Sequence, residues 1–149
     1  MGYYDSVEIS ASGLSAERLA MDVIANNIAN ANTTRTPNGG AFKRQLVVFA
    51  QKQGGQDSTI DPFDPTAQQP ASVEGVQVLG ITDDPSPDKL VFDPSNPEAD
   101  GRGYVHYPNV EVVKEMVDLM AASRAYQANV AAIQEARAMS QSDVGLLKS

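Results

Sequence analysis

Proline divides this chain into three. All nine prolines fall between Pro37 and Pro108, the first 36 and last 41 residues contain none, and eight of the eleven glycines lie in the same middle block. Proline lacks a backbone N–H and clashes with the preceding helical turn, so long helices are confined to the two ends. The expected plan is a helical segment over 1–36, a β-rich or irregular insert over 37–108 and a second helical segment over 109–149. The fold class is mainly α, with the terminal helices pairing in a coiled-coil-like way around one structural unit.

The ends support this plan with their periodicity. Val7, Leu14, Met21 and Ile28 recur at seven-residue spacing, joined by Ala11, Ile24, Ala25 and Ala31, which makes a narrow apolar seam. The spacing predicts a helix from about Ser6 to Ala31, roughly 39 Å long, started by Asp5 or Ser6. At the other end Val112, Met116, Leu119, Ser123, Tyr126, Val130 and Ile133 alternate steps of four and three. Asn109 is the expected cap of that helix, with Glu111 in its first turn. Its many alanines leave it slim enough to pack on more than one side.

The stretch "ANNIANANT", residues 25–33, interrupts this regularity with asparagine, a poor helix former. On a helical wheel with Ile24 at zero, Met21, Ile24, Ala25, Ile28, Ala29 and Ala31 span about −20° to 140°. Asn26, Asn27 and Asn30 gather between about 200° and 300° by the same geometry. They are expected to form one amide face opposite the seam, able to donate and accept hydrogen bonds at less desolvation cost than a charge. A protein–protein surface is the expected use of that face. Asn32, just past the end, suits a left-handed cap.

In the middle, "FKRQLVVFA" (42–50), "VEGVQVLGIT" (73–82), "KLVF" (89–92) and "YVHY" (104–107) read as strands, "TPNGG" as a turn and 51–72 as a loop.

Chemistry is sparse. With no cysteine, thiolate catalysis, disulfides and Cys-ligated zinc are excluded, and a formal charge of −8 opposes nucleic-acid or anionic-membrane binding. His106 is the sole histidine, with no triad to complete. The aspartates of "DPFDP", "DDPSPD" and "FDPSNPEADG" sit in turn-forming settings rather than in an apolar pocket that would raise one carboxyl. No metal, nucleotide or cofactor motif is present, and none is expected to be needed. No 18-residue apolar run predicts membrane insertion, and the first residues lack the basic and apolar regions of a cleavable signal. By these signals alone the chain reads as cytosolic.

"ANNIANANTT" after a heptad helix, then "AFKRQ" at 41–45 and "NVEVVKEMVDLMAASRAYQANVAAI" at 109–133, resembles the bacterial flagellar rod and hook axial proteins. The extended link "TTRTPNGGAFKR" and the approach "GYVHYPNVEVVKEM" are similar to those of its proximal-rod members. The resemblance implies a non-enzymatic structural subunit of the basal-body rod, which crosses the periplasm and transmits torque for motility. It also implies export without a cleaved signal through the flagellar type III apparatus. The implied partners are other rod proteins and copies of the chain itself. The expected assembly interface comprises Val7, Leu14, Met21, Ile24, Asn26, Asn27, Ile28 and Asn30 in the first helix. In the last helix it comprises Val112, Met116, Leu119, Tyr126, Val130 and Ile133. One or both helices are expected to complete their folding only when neighbours supply the other face. The alternatives are a cell-wall-acting enzyme or recruiting module using His106, Asp93 and Asp100, and a soluble helical adaptor.

Overall fold

The computed structural model describes residues 3–37, 39–53 and 73–146. Its elements are α1 (Tyr3–Ala29), β1 (Gln45–Gln53), β2 (Val73–Asp83), β3 (Lys89–Phe92), β4 (Tyr104–Tyr107) and α2 (Val112–Leu146). Two proline-free helices therefore flank a β-rich insert, as the proline distribution predicts. At 27 and 35 residues they run about 40 and 52 Å.

The helices lie antiparallel and in register. Gly13 meets Asn129, so closely that a Cβ on Gly13 would stand 2.8 Å from Asn129 Nδ2. Asn27 meets Glu115. Gly13 and Asn27 are fourteen residues apart, as are Glu115 and Asn129, and the buried Ala20 and Ala122 sit midway along each interval.

The packing face of α1 differs from the expected seam. Its buried residues are Ala16, Ala20, Val23 and Asn27, whereas Val7, Leu14, Met21, Ile24 and Ile28 are only half-buried. Close approach of two helices selects small side chains, which the bulky line of Leu14, Met21 and Ile28 cannot provide. The face holding Asn27 thus turns inward. On α2, Leu119, Ser123, Tyr126, Val130 and Ile133 are half-buried as the seam predicts, but Val112 and Met116 are exposed and Glu115 is inside.

The helix ends also differ in detail. α1 stops at Ala29, and bonds from Ala31 N to Ile28 O and from Thr33 N to Asn30 O close the turn that follows. Asn32 does not form a left-handed cap, because no described non-glycine residue has positive φ. Asn109 is not the cap of α2 either. The helix begins at Val112, Glu115 N donates to Glu111 O, and the Asn109 side chain serves other partners described below.

The insert forms two separate antiparallel pairs, β1 with β2 and β3 with β4. In the first, Val48 opposes Gly80 while Phe49 opposes Val78, so Leu79 is an extra residue in β2 and twists the ribbon. Gly75 brings this ribbon onto α1. Its φ is +108°, a Cβ there would overlap Ser12 Oγ at 2.2 Å, and Val76 N donates to that same hydroxyl at 3.0 Å. The second pair carries Val105, which is 1% exposed, and leads to the buried Pro108. The "TPNGG" turn closes through Gly39 N to Thr36 O and Thr36 N to Gly40 O. Of the loop expected over 51–72, residues 51–53 extend β1, and the remainder falls outside the described residues.

Besides Pro108, the buried apolar side chains among the described residues are Ala16, Ala20, Val23, Ala31, Ala41, Val105 and Ala122. Five of the seven are alanines, which hide little side-chain area each, so the apolar core stabilises the isolated chain weakly. Directional polar contacts must then define how the elements fit together.

Candidate assembly interface

Those contacts converge where the end of α1, the start of β1 and the start of α2 come together. Asn27 is 1% exposed and Glu115 is 0% exposed. Asn27 reads the backbone of Gln45 as a neighbouring strand would. Its Oδ1 accepts from Gln45 N at 2.9 Å and its Nδ2 donates to Gln45 O at 2.8 Å. The same Nδ2 donates to Glu115 Oε2 at 3.0 Å. An amide suits this position because it is donor and acceptor at once.

Arg44 completes the arrangement. Its Nε donates to Glu115 Oε1 at 2.5 Å, and its terminal nitrogens lie 3.4 Å from Asp84 and 3.5 Å from Asp118. Its backbone N–H donates to Asn109 Oδ1 at 2.9 Å, its carbonyl accepts from Asp84 N at 2.7 Å, and Asn109 Nδ2 donates to Ser86 O at 3.3 Å. Burial opposes the Arg44 charge, but hydrogen bonding and attraction from Glu115 and then Asp84 outweigh it, leaving its pKa above the ordinary value. Bonds from Ser86 and then Arg44 hold the Asp84 carboxyl below its ordinary range. Glu115 also lies in the first turn of α2, where the helix dipole favours a negative charge. No buried side-chain nitrogen or oxygen among the described residues lacks a hydrogen-bond partner, the condition under which a buried polar cluster fixes geometry rather than merely costing desolvation.

The three asparagines therefore do different jobs. Asn27 is spent inside the chain. Asn26, exposed, donates to the Gln45 side chain at 3.2 Å, and Asn30 donates to Asn26 O and Oδ1, both at 3.0 Å. Glu115 and Arg44 were not among the residues singled out from sequence. The available signal was a lone Glu inside the apolar run "VVKEMV", one position off the seam.

The chain's outer surface is apolar in places. Val113 is 71% exposed, and Met116, Val117 and Met120 are each more than half exposed. These positions follow i, i+3, i+4, i+7 and share one face of α2. Next to this face, Val91, Tyr107, Pro108, Val110, Val112 and Ala31 line a cleft of about 650 Å³ between the β3–β4 hairpin and the start of α2.

Comparison with known proteins resolves what such a chain is. Residues 8–35 match the family described as flagella basal body rod protein, and residues 102–146 match the C-terminal family of the flagellar basal body rod FlgEFG proteins. The flagellar basal-body rod protein FlgC of Borreliella burgdorferi is 42% identical over 152 residues, spanning 99% of each chain. The chain belongs to the flagellar basal-body rod protein family. The FlgC proteins of Bacillus subtilis and Salmonella typhimurium are also similar, at 41% and 36% identity, covering 93% of this chain in both cases and 94% and 93% of theirs.

The two matched segments of this rod protein hold Asn27 and Glu115, one each. The rod family is structural, and the residues weighed for an enzymatic role have structural partners here. Asp93 Oδ1 accepts from Ser95 N and Oγ, and Asp100 Oδ1 accepts from Arg102 N and Tyr104 N, which shapes the 93–103 loop. Backbone bonds from Tyr104 and then Arg102 hold the Asp100 carboxyl below its ordinary range. The His106 side chain is 51% exposed, with Nδ1 3.6 Å from Asp88 Oδ2, and Lys43 pairs with the same carboxylate.

Proposed function

We propose that the chain is a structural subunit of the proximal rod of the bacterial flagellar basal body, built into a periplasm-crossing shaft that transmits torque for motility. The observation that carries this reading is the similarity to FlgC proteins over nearly the whole chain, on a chain whose second long helix leaves an apolar stripe uncovered. Its partners are other rod proteins and further copies of itself, and it reaches them through the flagellar type III export apparatus without losing a signal peptide.

Assembly uses the two helical segments, 1–36 and 109–149, while the insert over 37–108 braces them. Val112 and Met116 are exposed for contact. Val7, Leu14, Met21, Ile24, Ile28, Leu119, Tyr126, Val130 and Ile133 are half-buried, and neighbouring subunits cover the remainder in coiled-coil-like pairing. Asn26 and Asn30 lie at the rim of that contact, and Asn27 supports it from within. The alanine-dominated core leaves the isolated chain marginal, so helix formation completes on assembly.

The test is a strain lacking the chain, complemented with the wild type and with Val113→Ser/Met116→Ser. Wild type restores swimming and is present in purified basal bodies, while the double variant folds but does not swim. Absence of the wild-type chain from basal bodies, or normal swimming by the deletion strain, rejects the reading.

A further inference from the structure

We infer that Ser12 is a positioning residue for assembly, its hydroxyl fastening the far end of the β1–β2 ribbon to α1 so that every copy carries the ribbon in one place; the inference rests on the rod-subunit reading. The Ser12 hydroxyl donates to Ile9 O at 2.7 Å, within its own helix, and accepts from Val76 N at 3.0 Å. A hydroxyl has one hydrogen and two lone pairs, so committing the hydrogen to α1 leaves the oxygen to accept from the ribbon. Gly75 makes the approach possible, since a Cβ there would stand 2.2 Å from Ser12 Oγ.

The helix holds the ribbon at two stations. At the near one, Asn27 takes both backbone groups of Gln45. Arg44 O accepts from Asp84 N inside the strand pair, so the Gln45 groups point away from β2 and Asn27 binds the β1 edge. At the far one, Val76 stands opposite Gln51, yet its N–H goes to Ser12, on the β2 edge. One helix therefore reads opposite edges of the ribbon. The extra residue Leu79 lies between the stations and supplies the twist this needs. The spans agree, with about 22 Å of helix from Ser12 to Asn27 and about 20 Å of strand from Gln45 to Gln51.

A two-stranded ribbon is marginal by itself, so its direction is set by what fastens it. The stations differ in strength. Asn27 is 1% exposed, whereas the Ser12–Val76 bond is exposed. The Lys52–Glu8 pair, at 3.3 Å with both side chains more than 40% exposed, adds little at that end. Without the Ser12 hydroxyl the ribbon keeps its root while its far end swings. A repeating array requires each copy to present the same outline, so a swinging end lowers assembly and leaves the fold intact.

Threonine and valine match in shape and differ in the hydroxyl, so Ser12→Thr, Ser12→Val and Ser12→Ala separate the hydrogen bond from bulk. In the purified chain, hydrogen exchange at the Val76 N–H is expected to quicken about two- to tenfold in the Ala and Val variants, the range of one net hydrogen bond. The Gln45 N–H keeps its protection. In a strain lacking the chain, these two variants reach wild-type abundance but enter purified basal bodies less, by about the same factor. Ser12→Thr restores incorporation and swimming to near wild type. Full incorporation of Ser12→Ala and Ser12→Val, a Ser12→Thr chain that does no better than they do, or unchanged Val76 exchange overturns the positioning role and leaves the rod reading standing. Loss of Gln45 protection together with Val76, or a fall in abundance, marks general unfolding and overturns it as well. Absence of the wild-type chain from basal bodies overturns both.

Discussion

The amide of Asn27 donates to the carboxylate of Glu115 at 3.0 Å, joining the last turns of α1 to the first turns of α2 across 88 residues of chain. Around this bond the end of one helix, the entry to β1 and the start of the other helix share a single set of partners. The surrounding apolar packing is mostly alanine, which fits closely but discriminates weakly between neighbouring registers. The Asn27–Glu115 contact supplies the discrimination.

Replacing Asn27 breaks the fold rather than the surface. Asn27→Ala strips Gln45 of two backbone partners and leaves Glu115 Oε2 without this donor, at about 1–3 kcal/mol per buried group left unsatisfied. A loss of about 2–4 kcal/mol is expected in urea unfolding followed by circular dichroism. Asn26→Ala and Asn30→Ala, on the outside, change stability by about 0.5 kcal/mol or less. Equal effects at the three positions would refute the assignment.

Arg44 and Glu115 are coupled. Removing either partner alone leaves an uncompensated charge beside the other, and Arg44→Met or Glu115→Met is expected to cost about 3–5 kcal/mol. The double variant recovers part of that loss, because no buried charge remains unpaired. A double-mutant cycle measures the coupling, and strict additivity would show that the pair is not buried together in solution.

The acid limb of stability follows from Asp84 and Asp100, whose carboxyls both sit below their ordinary range. A depressed folded pKa means that the unfolded chain binds more protons in this window, so stability rises with pH. The contribution is complete above the unfolded value of about 3.9 and is lost as pH falls through the folded values below it. Helical signal recorded against pH tests this. Asp84→Asn/Asp100→Asn should flatten the acid limb, and an unchanged profile would contradict the carboxylate assignments.

Two glycines differ in tolerance. Gly75→Ala meets both a positive φ of +108° and Ser12 Oγ at 2.2 Å, so it lifts the β1–β2 ribbon from α1. Gly13→Ala meets only the end of the Asn129 side chain, which can rotate away. Hydrogen exchange is expected to show β2 losing protection in G75A and keeping most of it in G13A.

Proline placement confined the long helices to the two ends, since breakers report backbone limits that hold in any tertiary context, and periodicity and β-type runs then located the elements to within a few residues. The faces were harder to read. A wheel ranks positions by bulk and polarity, and it set Leu14, Met21 and Ile28 against Asn27. The native packing instead chose Gly13, Ala16 and Ala20 for closeness, and admitted Asn27 because Gln45 and Glu115 satisfy it. That partnership spans 18 and 88 residues, so no local window reports it. Asn109 was misread for the same reason, its partners being Arg44 and Ser86 instead of the helix it precedes.

The Asn27–Glu115 separation also sets an order of events. Loop-closure entropy must be spent before so distant a contact gives anything back, and folds dominated by such contacts form slowly. With Asn27 lacking its buried partner until residue 115 is present, the first helix has no committed resting place on its own. A chain delivered amino end first through a narrow passage would stay unstructured for most of its transit, and would settle only once its final third had followed it out.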